Sequence, residues 1–319
     1  MTVPGDKGRR HRPTIVVDHT MEHSARRWRW TVPWELATLV FPLTSILYAS
    51  AGFLIGFPVA RWQGVCGFAT AILLCLVGPG ATARRGKKLA AVVGTIGIAI
   101  AMAGVSVMYS TVDAEVYHRP ASMLIAAGWN PVFDSTVEAV EALRKPEEAM
   151  KVGHVAYLPR AFWIFNAVLY RNLGFVEAGD AFNVLACILS YFMMSRLLAR
   201  AIGMRGIARR VAAALVSASP VVVALLFGGM CDSSFYSLFL ISGAAATLYS
   251  LTGRIQWLLY VAATLPLLAN LKFTGVICCI VITGVFLVAC LEASRRQHGG
   301  IDRAMRWLGM TLASAGLSA

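Results

Sequence analysis

A chain of 319 residues that is 58% hydrophobic and only 14% charged carries more apolar surface than a soluble domain of that length can bury. Together with a mean hydropathy of +0.67, this points to a polytopic membrane protein, all-α, built as a transmembrane helical bundle. The formal charge of +13 does not mark a nucleic-acid binder, because the basic residues sit in short clusters between apolar runs, as cytoplasmic connections do.

In chain order, residues 1–33 form a basic, Pro-containing tail with the composition of a disordered cytoplasmic segment. Its Arg26–Trp30 stretch, "RRWRW", suits the inner leaflet. No small-residue cleavage pattern follows the first apolar run, so the start is not a cleavable signal. Residues 34–109 hold three expected spans, near 35–57, 64–80 and 89–109, with Arg84, Arg85, Lys87 and Lys88 between the second and third. Residues 180–319 hold a further transmembrane bundle, with spans near 180–199, 208–227, 233–252, 255–271 and 274–292. A last run begins near 304 and stops at Ala319 without a polar cap, the ending expected of a truncated chain. Arg196, Arg200, Arg205, Arg209 and Arg210 form a basic connection, and Arg295, Arg296, Arg303 and Arg306 follow the eighth span. With all these clusters in the cytoplasm, the N-terminus is cytoplasmic and 110–179 is one long extracytoplasmic loop.

That topology requires "LPRAFWIFNAVLYRN", residues 158–172, not to cross. Ten residues separate Arg160 from Arg171, roughly 15 Å of helix, which is short of a bilayer. The expectation is an interfacial helix with Trp163 and Tyr170 at the headgroup level. Two more helices are expected in the loop, over 115–128 and 135–151. "GWNPVFD" makes the turn between them.

The seven cysteines are Cys66, Cys75, Cys187, Cys231, Cys278, Cys279 and Cys290, with no CxxC among them. All but Cys231 lie in apolar runs, where they behave as small hydrophobes, so no zinc site or disulfide framework is implied.

A few polar residues need explaining. Asp113 and Glu115, followed by Tyr117 and His118, come just after the third span. Glu177 and Asp180 sit at the start of another. Asp232, in "FGGMCDSSF", is the only permanently charged side chain between Val211 and Leu251. Lys272, in "NLKFTG", stands with Asn270 and Thr274, a donor set suited to a phosphate. In the expected topology these charges converge on the outer face from distant parts of the chain, and ionisable groups in such sequence are costly and usually functional. The bland readings are a solvated span end for Asp113 and Glu115, an N-cap for Asp232 and a snorkelling anchor for Lys272. A metal site drawing on His118, His154 and Asp232 is conceivable, although lone histidines more often simply hydrogen-bond.

"DAEVYHRPASMLIAAGWNP", "LYRNLGFVEAGDAFN" and "NLKFTG" resemble stretches of bacterial type C integral-membrane glycosyltransferases, over roughly Thr111 to Gly275. The resemblance implies a sugar donor linked to polyprenyl phosphate, a glycan or protein acceptor, and transfer on the outer face of the bacterial inner membrane. It assigns the catalytic base to Asp113 or Glu115, with Asp113 at the head of the motif. It assigns Asp232 or Asp180 to a second acid that orients the acceptor or helps hold a divalent metal such as Mg or Mn. An extra N-terminal hairpin departs from the family pattern. The rival reading is a transporter or lipid flippase without chemistry; such proteins place ionisable groups near the midplane and often use broken helices in matching halves.

Overall fold

The computed structural model describes residues 32–77, 82–105, 111–135 and 160–296. Among these the protein is an all-α bundle without a β-strand. The expectations for the basic tail, for most of the 135–151 helix, for His154 and for the run from 304 lie outside the described residues. Four helices are long and apolar enough to cross a membrane: Trp34–Leu54, Ala83–Gly104, Val176–Ile202 and Asp232–Thr252. Shorter apolar helices span Arg61–Leu76, Gln256–Leu271 and Phe273–Val288.

The α-helices are α1 (Trp34–Leu54), α2 (Arg61–Leu76), α3 (Thr82–Gly104), α4 (Arg119–Ala127), α5 (Ala161–Leu173) and α6 (Ala181–Leu197). They continue as α7 (Gly206–Ser217), α8 (Pro220–Leu225), α9 (Asp232–Thr252), α10 (Gln256–Leu271) and α11 (Phe273–Arg296). Helix α9 packs between α6 and α10, and α1 runs antiparallel to α2. The core is Leu-, Ala- and Phe-rich, with Phe165, Phe182, Leu185, Leu189, Leu238 and Leu268 all essentially inaccessible.

Contacts between distant residues sort the helix ends into two sets. At one end Lys88 Nζ donates to Val32 O at 2.8 Å, and Arg196 pairs with Glu35. At the other, Asn130 Nδ2 donates to Phe53 O at 3.0 Å, and Lys272 pairs with Asp232. The 21 residues of α9 separate these ends by about 30 Å at 1.5 Å per residue, the thickness of a hydrocarbon core.

Two expectations are corrected. The span near 208–227 is not one helix but two, α7 and α8. Pro220 lacks an N–H and disfavours helical backbone at the residue before it, so the chain breaks at Ala218–Ser219 and restarts with Pro220 in the first turn. The broken end does not leave its carbonyls bare, which inside a bilayer would be costly. Tyr236 Oη donates to Val216 O at 3.1 Å, and Cys187 Sγ approaches Ser217 O at 3.5 Å.

The second correction concerns α5. At 13 residues it is about 20 Å long, too short to cross, as expected. It does not lie open on a surface, however. Every residue from Ala161 to Leu169 is buried, and Trp163, expected at the headgroup level, is 1% exposed. A helix that is apolar on all sides is stable only when enclosed. Here Phe165 packs edge-on against Phe41 of α1, with ring centroids 5.5 Å apart.

The hairpin between α10 and α11 depends on one glycine. A Cβ on Gly275 would sit 1.8 Å from Leu268 O, so only glycine lets α11 start this close to α10. That closeness fixes where the intervening Lys272 stands.

Arg254 and Phe273 are both exposed and mark the opposite ends of α10. In a variant whose seven native cysteines are replaced, single cysteines at these two positions should label from opposite sides of a sealed vesicle. Labelling of both from one side would reject the membrane-crossing placement of α10.

Candidate functional site

The site grows from the segment that follows α3. Thr111 Oγ1 donates to Gly228 O at 2.8 Å and accepts from Ala114 N at 3.2 Å, which ties this segment to the connection before α9. Residues Ala114–His118 then form a single π-helical turn leading into α4. Such turns are rare and recur at functional sites. Gly229, with φ of 69°, allows the connection to close on that turn. A Cβ there would lie 2.5 Å from Ala114 Cβ, and the left-handed backbone already favours glycine.

Asn183 of α6 holds the same connection from the other side. Its Nδ2 donates to Met230 O at 2.8 Å, and its Oδ1 accepts from Ser234 N at 3.1 Å. This buried amide therefore sets the start of α9 and with it Asp232. Lys272, extended at the end of α10, reaches back and pairs with Asp232.

Between these elements lies a cavity of about 250 Å³, lined by Tyr117, His118, Phe162, Trp163, Cys231 and Lys272 among others. The Asp113 carboxylate lies near the Tyr117 hydroxyl. Burial, with the Asp113 charge, pushes the Tyr117 phenol up to about 12, so it stays protonated and can act as a donor. Trp163 Nε1–H donates to His118 Nδ1 at 2.6 Å. Because Nδ1 accepts, the proton of the neutral ring is assigned to Nε2. Burial lowers His118 to about 4 against the attraction of Asp113 and Asp232. The imidazole is thus a neutral N–H donor at ordinary pH.

The expected residues divide into three groups. Tyr117, His118, Lys272 and Thr274 line the cavity. Asp232 joins it through Lys272, and Asp113 through Tyr117. Glu115 and Asp180 belong to a neighbouring cluster around Arg119. Arg119 Nη1 lies 2.5 Å from Glu115 Oε1 and 3.9 Å from Glu177 Oε1. Asp180 is buried and directed toward the Arg119 guanidinium and the Gly229 N–H, without closing a well-formed hydrogen bond on either oxygen. Asn270 is placed outside the cavity. Its Nδ2 donates to Pro266 O one turn back at 3.0 Å.

Two residues escaped the sequence reading. Trp163, expected at the interface, instead donates to His118 and fixes its tautomer. Arg119, passed over beside Pro120, gathers the acids of the second cluster. A tryptophan within an all-apolar helix does signal a buried N–H in need of a partner, but it does not say which partner. Lys272 and Asp232, each read as a charge without a local partner, are each other's partner. Among the described residues no three His, Cys, Asp or Glu side chains gather as a ligand set.

No family model matches the chain, and no curated protein or solved structure is similar to it.

The His118 geometry sets a pH dependence. Its ordinary value of 6.5 falls to about 4 in the folded protein, so between these values the unfolded chain binds a proton that the folded one excludes. Stability from this site is full above about pH 6.5 and drains away as pH falls toward 4, by up to about 3 kcal/mol. Unfolding midpoints in detergent between pH 7.5 and 4.5 should drop more steeply for the parent protein than for His118→Gln. Parallel slopes would refute the buried neutral imidazole.

Proposed function

We propose that this chain is a membrane glycosyltransferase that moves a sugar from a polyprenyl-phosphate donor to an acceptor hydroxyl at the outer face of a bacterial cytoplasmic membrane. The observation that carries the reading is the meeting of Asp113, Tyr117, His118, Asp232 and Lys272 around one cavity at a single end of the bundle. They come from three separate segments, and solvated span ends have no reason to converge. A lipid-borne phosphosugar presents its head group at that level, and the α10–α11 hairpin with exposed Phe273 offers its chain an apolar flank. The orientation rests on the opposite end, where Lys88, Arg196 and Arg254 lie among the basic connections.

In this reading Asp113 is the general base. Its carboxylate, beside the Tyr117 phenol, takes the proton of the acceptor hydroxyl as that oxygen forms its bond to the anomeric carbon. The bond from that carbon to the phosphate oxygen breaks, and polyprenyl phosphate leaves with the electron pair. Lys272 and the Nε2–H of His118 stabilise the charge on the departing phosphate. Glu115 is a poorer choice of base because Arg119 already engages it. Asp232 orients Lys272. No step is routed through a metal.

The transporter reading gains one observation, the break between α7 and α8, since discontinuous helices form many transport sites. The carbonyls at that break are already met by Tyr236 and Cys187, which weakens it.

Full-length protein supplied with a panel of polyprenyl-phosphate sugars should transfer one of them. Asp113→Asn should reduce transfer by about 10²–10⁴-fold with donor binding retained. Lys272→Ala should instead weaken the donor by about 10–100-fold, through loss of a charge-assisted partner. If no sugar is transferred, or if Asp113→Asn keeps full activity, the enzymatic reading falls and transport takes its place.

A further inference from the structure

A second cavity lies at the other end of the bundle, with a volume of about 740 Å³. Five arginines line it: Arg196, Arg200, Arg209, Arg210 and Arg254. They arrive from the end of α6 and the turn that follows it, from the start of α7, and from the α9–α10 connection. Among the described residues only Arg196 has a carboxylate within ion-pair distance, the buried Glu35. The other four guanidinium groups have none, and the buried Nε of Arg209 has no hydrogen-bond partner.

A rule that collects basic residues at cytoplasmic ends accounts for the number of arginines. It does not account for their arrangement around a concavity. Nor does it account for the walls, where Tyr191, Phe192 and Trp257 stand among the charges. Like charges gathered from separate connections repel one another and are stabilised by an anion between them. Guanidinium is the cation whose planar fork matches phosphate, where lysine serves as a point charge. The volume far exceeds a single phosphate and falls within the range of sites for larger organic ligands.

Position adds an independent constraint. The cavity sits at the ends of α1, α6 and α9, which carry three of the four helices long enough to cross a membrane. That is the level of phospholipid head groups, and basic pockets between spanning helices on the cytoplasmic side take such groups.

We propose that this arginine cavity binds a phosphate-bearing anion, supplied from the bilayer as the head group of an anionic phospholipid. The guanidinium groups take the phosphate oxygens, and the aromatic walls pack the glycerol and the first acyl carbons. The site is separate from the Asp113–Lys272 cavity and does not depend on what that cavity does.

The test uses the full chain purified in a neutral detergent, with its thermal unfolding midpoint followed as ligand is added. One arm adds phosphatidylglycerol, a second phosphatidylcholine, and a third inorganic pyrophosphate without lipid. The parent protein should be stabilised saturably by phosphatidylglycerol and not by phosphatidylcholine. Arg209→Gln/Arg254→Gln should bind about 10–100-fold more weakly. Arg84→Gln/Lys87→Gln removes the same charge from α3 and should bind as the parent does. Stabilisation by pyrophosphate with the same sensitivity to the cavity variant assigns the phosphate chemistry to the cavity and a soluble source to the ligand. If the glutamine variant does not fold, Arg209→Lys/Arg254→Lys replaces it and should still weaken binding several-fold. Equal weakening in the α3 control, an unchanged lysine variant, or no response to any phosphate overturns the proposal.

Discussion

A carboxylate at the head of a membrane-length helix must find its counter-charge, and in this protein it finds it on another hairpin. Asp232 begins α9 in a stretch without another permanent charge, and Lys272 answers it from the α10–α11 turn. Both side chains remain about one-third exposed, so the pair is worth little as bare Coulomb energy. Its consequence is positional. It sets the α10–α11 turn against the connection before α9, which Asn183 and Thr111 hold in place. That connection closes through Gly229 onto the π turn carrying Tyr117 and His118.

The opposite end obeys the same constraint under harsher terms. Glu35 is 1% exposed near the start of α1, and Arg196 reaches it from the end of α6. Removing Arg196, itself about one-third exposed, would leave the buried Glu35 carboxylate without this counter-charge. Two ion pairs thus clamp the bundle at ends about 30 Å apart, each joining helices distant in sequence. They leave unlike surroundings. Around Glu35 and Arg196 lie further arginines; around Asp232 and Lys272 lie a second carboxylate, a phenol and a neutral imidazole.

Hydropathy made the long helices legible, because a run of about 20 apolar residues has few other uses. The Gly128 stop of α4 was legible for a local reason too, since a left-handed C-cap favours glycine and Gly128 has φ of 119°. Three things were not. Pro220 was visible, but a smooth apolar run masked the break that it imposes. Helix α5 was too short to cross, and shortness alone does not distinguish a helix on the interface from one enclosed by α1, α2 and α4; its apolar residues on every side were the better guide. Partnership was hidden as well. Forty residues separate Asp232 from Lys272, and nothing local in either segment names the other. The convergence at one end of the bundle was therefore readable while its internal wiring was not.

That wiring bears on the proposed chemistry. Asp113 and Asp232 set two carboxylates against one ammonium, and His118 adds no charge. A phosphate entering such a site gains nothing from net charge. Its recognition must come from directed donors: the His118 Nε2–H and a lysine able to exchange one acceptor for another. Asp232 is suited to that exchange. It holds Lys272 in place when the cavity is empty, and it is solvated enough to stand alone when the ammonium turns to a phosphate. Tyr117 makes the complementary arrangement at Asp113, placing a neutral phenol near the carboxylate. Arg119 does supply a cation to Glu115, one turn away. Two acids two residues apart are thereby given different neighbours, an arginine at Glu115 and a phenol at Asp113, which is why Asp113 and not Glu115 is proposed as the base.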